Sequence, residues 1–252
     1  MDKLLSLKNI TLTYFSDNGE TLALSDITFD VKKGEFVSIV GPSGCGKTTI
    51  LSIISGLLAP TSGTIEFFEK NDSQYKTGYM FQKDHLFEWR TILNNVYLGL
   101  EIQKKKTPEN IDYVNSLLKK YGIWEFRNKY PNQLSGGMRQ RVALIRTLAL
   151  KPNILLLDEA FSALDYQTRL NVCDDVSQIL HSENITSILV THDISEAISL
   201  SDRVVVLSPR PAKVKTIHEI DLGDVLPLKK REDPRFNMYF DTIWKELQNE
   251  KQ

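Results

Sequence analysis

The sequence predicts an α/β fold: a parallel sheet flanked by helices, an N-terminal antiparallel β layer and an inserted α-helical subdomain. Three observations lead there. Ile154-Leu155-Leu156-Leu157, Ser187-Ile188-Leu189-Val190 and Val204-Val205-Val206-Leu207 are short runs apolar on both faces, as in strands covered by helices on either side. The N-terminal part alternates instead, with Ile10, Leu12 and Tyr14, then Ile27, Phe29 and Val31, at every second position; half-buried strands of an antiparallel layer read this way. From about Leu93 to Leu150 the pattern is helical. The 252 residues are 41% hydrophobic and 25% charged, ordinary for a globular protein and enough for one large domain with an insertion.

Each element follows in order. Asp17-Asn18-Gly19 and Lys32-Lys33-Gly34 are turn signals. Phe36-Val37-Ser38-Ile39-Val40, bounded by Gly34 and Gly41, reads as a buried strand. Ile50, Ile53, Ile54, Leu57 and Leu58 form the stripe of an amphipathic helix that Pro60 is expected to stop. Ile65-Glu66-Phe67-Phe68 resembles a third strand of the antiparallel layer. Thr107-Pro108-Glu109 combines an N-cap, a proline at N1 and an acid in the first turn, and Gly122 is read as the stop. Ser135-Gly136-Gly137 opens another helix, running through Val142, Ile145 and Ala149 to Lys151-Pro152. Phe236, Tyr239, Phe240, Ile243, Trp244 and Leu247 make a last helical stripe. Asp241, Glu246 and Glu250 do not suit an anionic membrane surface, so this helix is expected to dock on the core. The expected organisation is a single domain, 1–252. Its core comprises 1–85 and 151–215, the helical insertion 86–150 and a C-terminal extension 216–252.

Gly41-Pro42-Ser43-Gly44-Cys45-Gly46-Lys47-Thr48-Thr49 matches the phosphate-binding P-loop, G-x-x-x-x-G-K-[ST], set between a strand and a helix. Glycines let the backbone wrap phosphate oxygens, and the N–H groups of the turn and helix start point at the anion. Lys47 would reach the β- and γ-phosphates, and Thr48 would place its hydroxyl on Mg²⁺. Cys45 lies near a helix N-terminus, where a thiol pKa can fall, though an inert filler is the expected role. Asp158-Glu159 ends an apolar strand, where parallel sheets bind ligands. Asp158 is read as holding Mg²⁺ through a water and Glu159 as the group that polarises an attacking water.

Leu134-Ser135-Gly136-Gly137-Met138-Arg139-Gln140 resembles the LSGGQ-type signature of ABC ATPases. The resemblance spans about Leu5 to Leu207, and implies a P-loop NTPase core that uses ATP and Mg²⁺. Tyr14 matches the aromatic that stacks on adenine, Gln82 after Met80-Phe81 the Q-loop glutamine, Ser162-Ala163-Leu164-Asp165 the D-loop and Thr191-His192-Asp193 the switch-histidine loop. It implies catalytic roles for Lys47, Gln82, Glu159 and His192, metal contacts from Thr48, Gln82 and Asp158, and nucleotide contacts from Tyr14 and the P-loop residues through Thr49. Ser135, Gly137 and Asp165 would serve nucleotide bound to a second copy, packed head to tail. Phe81 to Thr91 and Ser208-Pro209-Arg210-Pro211 are similar to the importer subgroup for nitrate, sulfonates, taurine and thiamine precursors. Two positions depart from the family: Ala160 stands where proline is usual and Ala212 where glycine is usual.

No apolar run approaches the roughly 18 residues needed to span a bilayer, and the N-terminus lacks a signal-peptide core. Permease subunits would therefore be separate chains that dock near Gln82 to Thr91, served by an extracellular or periplasmic solute-binding protein, with this chain peripheral on the cytoplasmic face of the membrane. Net charge is −1, without the basic field that holds nucleic acid; Lys104-Lys105-Lys106 and Lys229-Lys230-Arg231 read as solvated loop charge. The alternative is a soluble ABC protein acting on nucleic acid or ribosomes, which usually carries two ATPase domains or a long coiled coil. One P-loop, one signature and no heptad run speak for the importer subunit. A small P-loop kinase would leave the signature turn unexplained.

Overall fold

The computed structural model describes residues 2–16, 19–68 and 76–248; the Asp17-Asn18 part of the first turn signal lies outside them. The chain runs β1 (Lys3–Ser16), β2 (Gly19–Lys32), β3 (Phe36–Val40), α1 (Lys47–Ile54), β4 (Ser62–Phe67), β5 (Thr77–Met80), α2 (Ile92–Ile102), α3 (Pro108–Lys120) and α4 (Gly136–Leu148). It continues through β6 (Ile154–Asp158), α5 (Tyr166–Ser182), β7 (Thr186–Val190), α6 (Ile194–Leu200), β8 (Arg203–Leu207), β9 (Val214–Glu219), α7 (Pro227–Lys230) and α8 (Pro234–Gln248).

Two sheets result. β2, β1 and β4 form the three-stranded antiparallel layer. The second sheet has the order β5-β6-β7-β3-β8-β9, parallel except for β9, which pairs antiparallel with β8 at the edge. β9 runs across residue 216, so the sheet extends beyond the core segment drawn from sequence. The all-buried patterns of β3 and β7 explain their continuous apolar runs. One face joins α1 and the antiparallel layer, through Leu5, Leu7, Ile27, Ile50, Ile54, Leu156 and Val205. On the other, Leu155, Leu157 and Leu189 share a core with Val96, Leu117 and Val142 of the helical insertion and Val176 of α5. The insertion is thus seated on the sheet by its own apolar face.

Two local expectations change, and one departure from the family is accounted for. α1 ends at Ile54, before Pro60, because Gly56 takes φ 76° and closes the helix left-handedly; Leu57 is exposed rather than part of the stripe. Lys229-Lys230-Arg231 is not a solvated loop, since Lys229 and Lys230 end α7, and burial lowers the pKa of Lys230. Ala212 is fully buried; its N–H donates to Ala23 O at 2.9 Å and its carbonyl accepts from Ser25 N at 2.8 Å, so an ordinary backbone serves there. α8 docks as expected: Phe236 and Ile243 are buried against Ile198 and Val206, while Trp244 stays exposed and stacks on Phe240.

Candidate functional site

The carboxyl ends of the parallel strands meet at one edge, where open α/β sheets bind ligands. From β3 the chain enters the glycine loop. Gly46 takes φ 118°, and a Cβ there would lie 2.7 Å from Leu24 Cδ2, so only glycine fits both the turn and the space. A Cβ on Gly41 would lie 2.9 Å from Cys45 Sγ; Cys45 is buried and fills the inside of the loop. No side chain caps α1, which leaves its first N–H groups facing the loop. Lys47 Nζ curls back to donate to the carbonyls of Gly41 at 2.8 Å and Pro42 at 2.9 Å. Ser43, Gly44, Gly46, Lys47, Thr48 and Thr49 line a cavity of about 590 Å³, and Glu159 and His192 close its other side.

Asp158 ends β6 with both carboxylate oxygens engaged: Oδ1 accepts from Thr48 Oγ1 at 2.9 Å and Oδ2 from the Tyr79 hydroxyl at 3.0 Å. Glu159 turns away from the strand at φ 48°, its N–H donating to Val190 O at 2.8 Å. That turn brings its Oε1 to 3.4 Å from His192 Nδ1. His192 sits in the tight loop between β7 and α6, held by a 3.0 Å bond from Asp193 N to Thr191 Oγ1 and by Asp193 capping α6. Behind this loop Glu196 is buried, and burial pushes its carboxyl up to about 7. Lys47, Thr48, Asp158, Glu159 and His192, spread over 146 positions of sequence (192 − 47 + 1), therefore form one cluster. Tyr14 is 41% exposed on β1, its hydroxyl 3.2 Å from Thr49 Oγ1, so its ring stands beside the mouth of the loop.

Of the other sequence-derived residues, Gln82 lines a second cavity of about 360 Å³ with Asp84, His85, Gly136, Arg139 and Leu164 among others, while Ser135, Gly137 and Asp165 are chain neighbours of its lining residues Gly136 and Leu164. Gln82 Nε2 donates to Ser162 Oγ at 3.0 Å, and that hydroxyl donates to Glu159 O at 2.9 Å, a two-bond link between the cavities. Ser135 caps α4, its Oγ accepting from Met138 N at 3.3 Å. A Cβ on Gly137 would lie 3.1 Å from Thr168 and Val172, so this glycine also sets how closely α4 packs on α5. Asp165 caps α5, and the bond from Thr168 holds its carboxyl below the usual range. Ala160 is buried and its carbonyl accepts from Gln140 Nε2 at 2.7 Å.

A family model described as "ABC transporter" matches residues 24–162, more than half of the chain. The chain belongs to the ABC transporter family. It is 48% identical over 253 residues to the uncharacterized ABC transporter ATP-binding protein YtlC of Bacillus subtilis, covering 98% of this chain and 97% of that one. The taurine import ATP-binding protein TauB of Jannaschia sp. strain CCS1 is 39% identical, over 87% of this chain and 83% of its own. The nitrate import ATP-binding protein NrtD of a Synechocystis strain is 38% identical, over 95% and 93%. Among solved structures, a dimeric post-hydrolysis state of the ATP-binding cassette MJ0796 bound to ADP and Pi aligns with TM-score 0.71 and 33% identity, over 86% of this chain and 99% of that one. As an ABC ATPase the chain binds and hydrolyses ATP, and among the described residues no helix is long and apolar enough to cross a membrane.

Several residues of this ABC ATPase were invisible to motif reading. Asn95 is fully buried; its Nδ2 donates to the carbonyls of Phe87, Arg90 and Thr91, each at 3.1 Å, and its Oδ1 accepts from Phe87 N at 2.7 Å. It organises the segment that presents Trp89, 75% exposed and in ring contact with Phe87. Leu86 of that segment is core. Arg139 joins Asp84 Oδ2 to Leu134 O at 3.1 Å each, and Arg146 donates to the carbonyls of Asp84 and His85, so α4 is pinned to the loop after Gln82. Only neighbouring acid and base residues with no role of their own could have hinted at these pairings.

Proposed function

We propose that this chain is the ATP-hydrolysing subunit of an importer for a small solute of the nitrate, sulfonate, taurine or thiamine-precursor type. It would work at the cytoplasmic face of the membrane with separate permease subunits and, through them, a solute-binding protein. The observation that carries the proposal is the cavity that gathers Lys47, Thr48, Glu159 and His192 while the signature turn of the same chain faces another. The import proteins among the relatives support the solute class.

On this reading Lys47 exchanges the Gly41 and Pro42 carbonyls for the β- and γ-phosphates, while the N–H groups of the uncapped α1 start take further phosphate oxygens. Tyr14 offers a ring face to adenine. Glu159 orients a water and draws its proton as the water attacks the γ-phosphorus; the bond to the bridging oxygen breaks and ADP leaves. His192, beside Glu159, holds the γ-phosphate and the carboxylate in register. Thr48 and Asp158 put two oxygens 2.9 Å apart, a donor set suited to Mg²⁺. Gln82 would join that set after leaving Ser162. The ion would neutralise phosphate charge. Ser135, Gly137 and Asp165 meet nucleotide held by a second copy packed head to tail, so ATP joins the pair and hydrolysis parts it.

Glu159→Gln tests this. Hydrolysis should slow by about 10²–10⁴-fold, the range of a general base, while ATP binding persists. Size-exclusion chromatography in Mg²⁺-ATP should then show a dimer; a monomer with ATP demonstrably bound would count against the head-to-tail pair. The permease joint is assigned to the exposed face of Gln82 to Thr91. Trp89→Asp should leave the isolated ATPase folded and active yet fail to retain permease subunits from solubilised membranes. Retention equal to wild type removes this face from the joint, and recovery of ribosomes in place of permease would favour the soluble alternative.

A further inference from the structure

We propose that Tyr79 is a positioning residue for the cation-binding carboxylate: its hydroxyl holds one oxygen of Asp158 so that the other faces Thr48 and the phosphate cavity. This rests on the reading of Asp158 and Thr48 as the cation's ligands. β5 runs parallel to β6 with Tyr79 level with Leu156. Leu156 and Asp158 are two positions apart and share a face of the sheet, and Tyr79 points to that face with them. Its ring packs into the cluster that holds Leu156 and the apolar side of α1, and lies 4.5 Å from the Phe81 ring. The hydroxyl emerges at the strand ends and donates to Asp158 Oδ2 at 3.0 Å, while Thr48 reaches Oδ1 at 2.9 Å.

The consequence is orientational. The last torsion of an aspartate is broad and roughly two-fold, so a carboxylate at the end of a strand rotates unless both oxygens are tied. With Oδ2 given to the phenol, Oδ1 stays beside the Thr48 hydroxyl, where the ion is expected. A phenol ordinarily keeps its proton at neutral pH, so the hydroxyl is the donor and the carboxylate oxygen the acceptor. Partners of ligating carboxylates commonly matter this way. A ring that only packs would do as well as phenylalanine, so Tyr79→Phe isolates the hydroxyl.

The test is a Mn²⁺ titration, followed by electron paramagnetic resonance with ADP present, on the full chain and on Tyr79→Phe, Asp158→Asn and the double variant. Tyr79→Phe should weaken Mn²⁺ binding about tenfold, with metal-free nucleotide binding and metal-free melting temperature unchanged. In the Asp158→Asn background the same substitution should add nothing, because Tyr79 acts through that carboxylate. Unchanged Mn²⁺ affinity in Tyr79→Phe, or an equal loss in both backgrounds, overturns the assignment while leaving the ATPase reading in place. A wild-type chain that binds ADP but takes up no Mn²⁺ overturns the cation site and this assignment together.

Discussion

Helices α1 and α4 both begin at glycine-rich turns, yet they begin differently. α1 starts at Gly46, left-handed and without a side-chain cap; α4 starts at Ser135, extended, with its hydroxyl already on Met138 N. α2, α3, α5 and α6 follow α4, capped by Thr91, Thr107, Asp165 and Asp193. A capped helix has satisfied part of its own N-terminal donor set, whereas an uncapped one keeps those N–H groups for an anion. The surroundings differ in the same sense. The start of α1, which carries Lys47, shares one cavity with a glutamate and a histidine, and that of α4, which carries Arg139, shares another with Gln82 and Asp84. On the proposed reading α1 would be a phosphate site complete within the chain, while α4 would carry half of one and act only when nucleotide is brought to it.

Substitutions at the two helix starts can break or sharpen this contrast. The largest effect is expected from Lys47→Ala, which removes a charge-assisted contact worth roughly 1.5–3 kcal/mol. Nucleotide binding by the single chain should fall by about 10- to 150-fold; equilibrium titration with a fluorescent ATP analogue measures it, and near-wild-type affinity would end the distinction between the two starts. Ser135→Ala should behave oppositely. Losing the cap costs α4 about 1 kcal/mol, visible as a small drop in melting temperature, while nucleotide binding by the single chain stays unchanged. Combined with Glu159→Gln it should weaken the ATP-dependent dimer about tenfold, near 1.4 kcal/mol, read by sedimentation. A fall in single-chain affinity instead would mean that α4 serves its own nucleotide. The smallest effect is expected at the rim of the first site. Tyr14→Ala should raise the KM for ATP a few-fold with kcat unchanged, because stacking on a base is worth roughly 1–3 kcal/mol at most on an open edge. Steady-state kinetics decides it, and an unchanged KM would move the adenine platform elsewhere, with Phe15 next in line.

Where the determinants are local, the sequence alone was enough. The P-loop is a backbone device, legible because lysine and glycine spacing encodes a turn conformation directly. The caps at Thr107 and Ser135 act within three residues, and the apolar runs of β6, β7 and β8 report burial on both faces whatever their neighbours. The order of the chemical motifs made the family legible from the same text. Tertiary structure decided the remainder. Sheet order alone sets β5 beside β6, which brings Tyr79 to Asp158 across 79 positions and lets Gln82 reach Ser162 across 80. Asn95 and the Asp84–Arg139 pair have no signature because a buried amide or an ion pair gains its meaning from a partner, not from spacing. Local chemistry is written in the order of residues, but a hydrogen bond between distant side chains exists only once the core has packed its strands and helices in place.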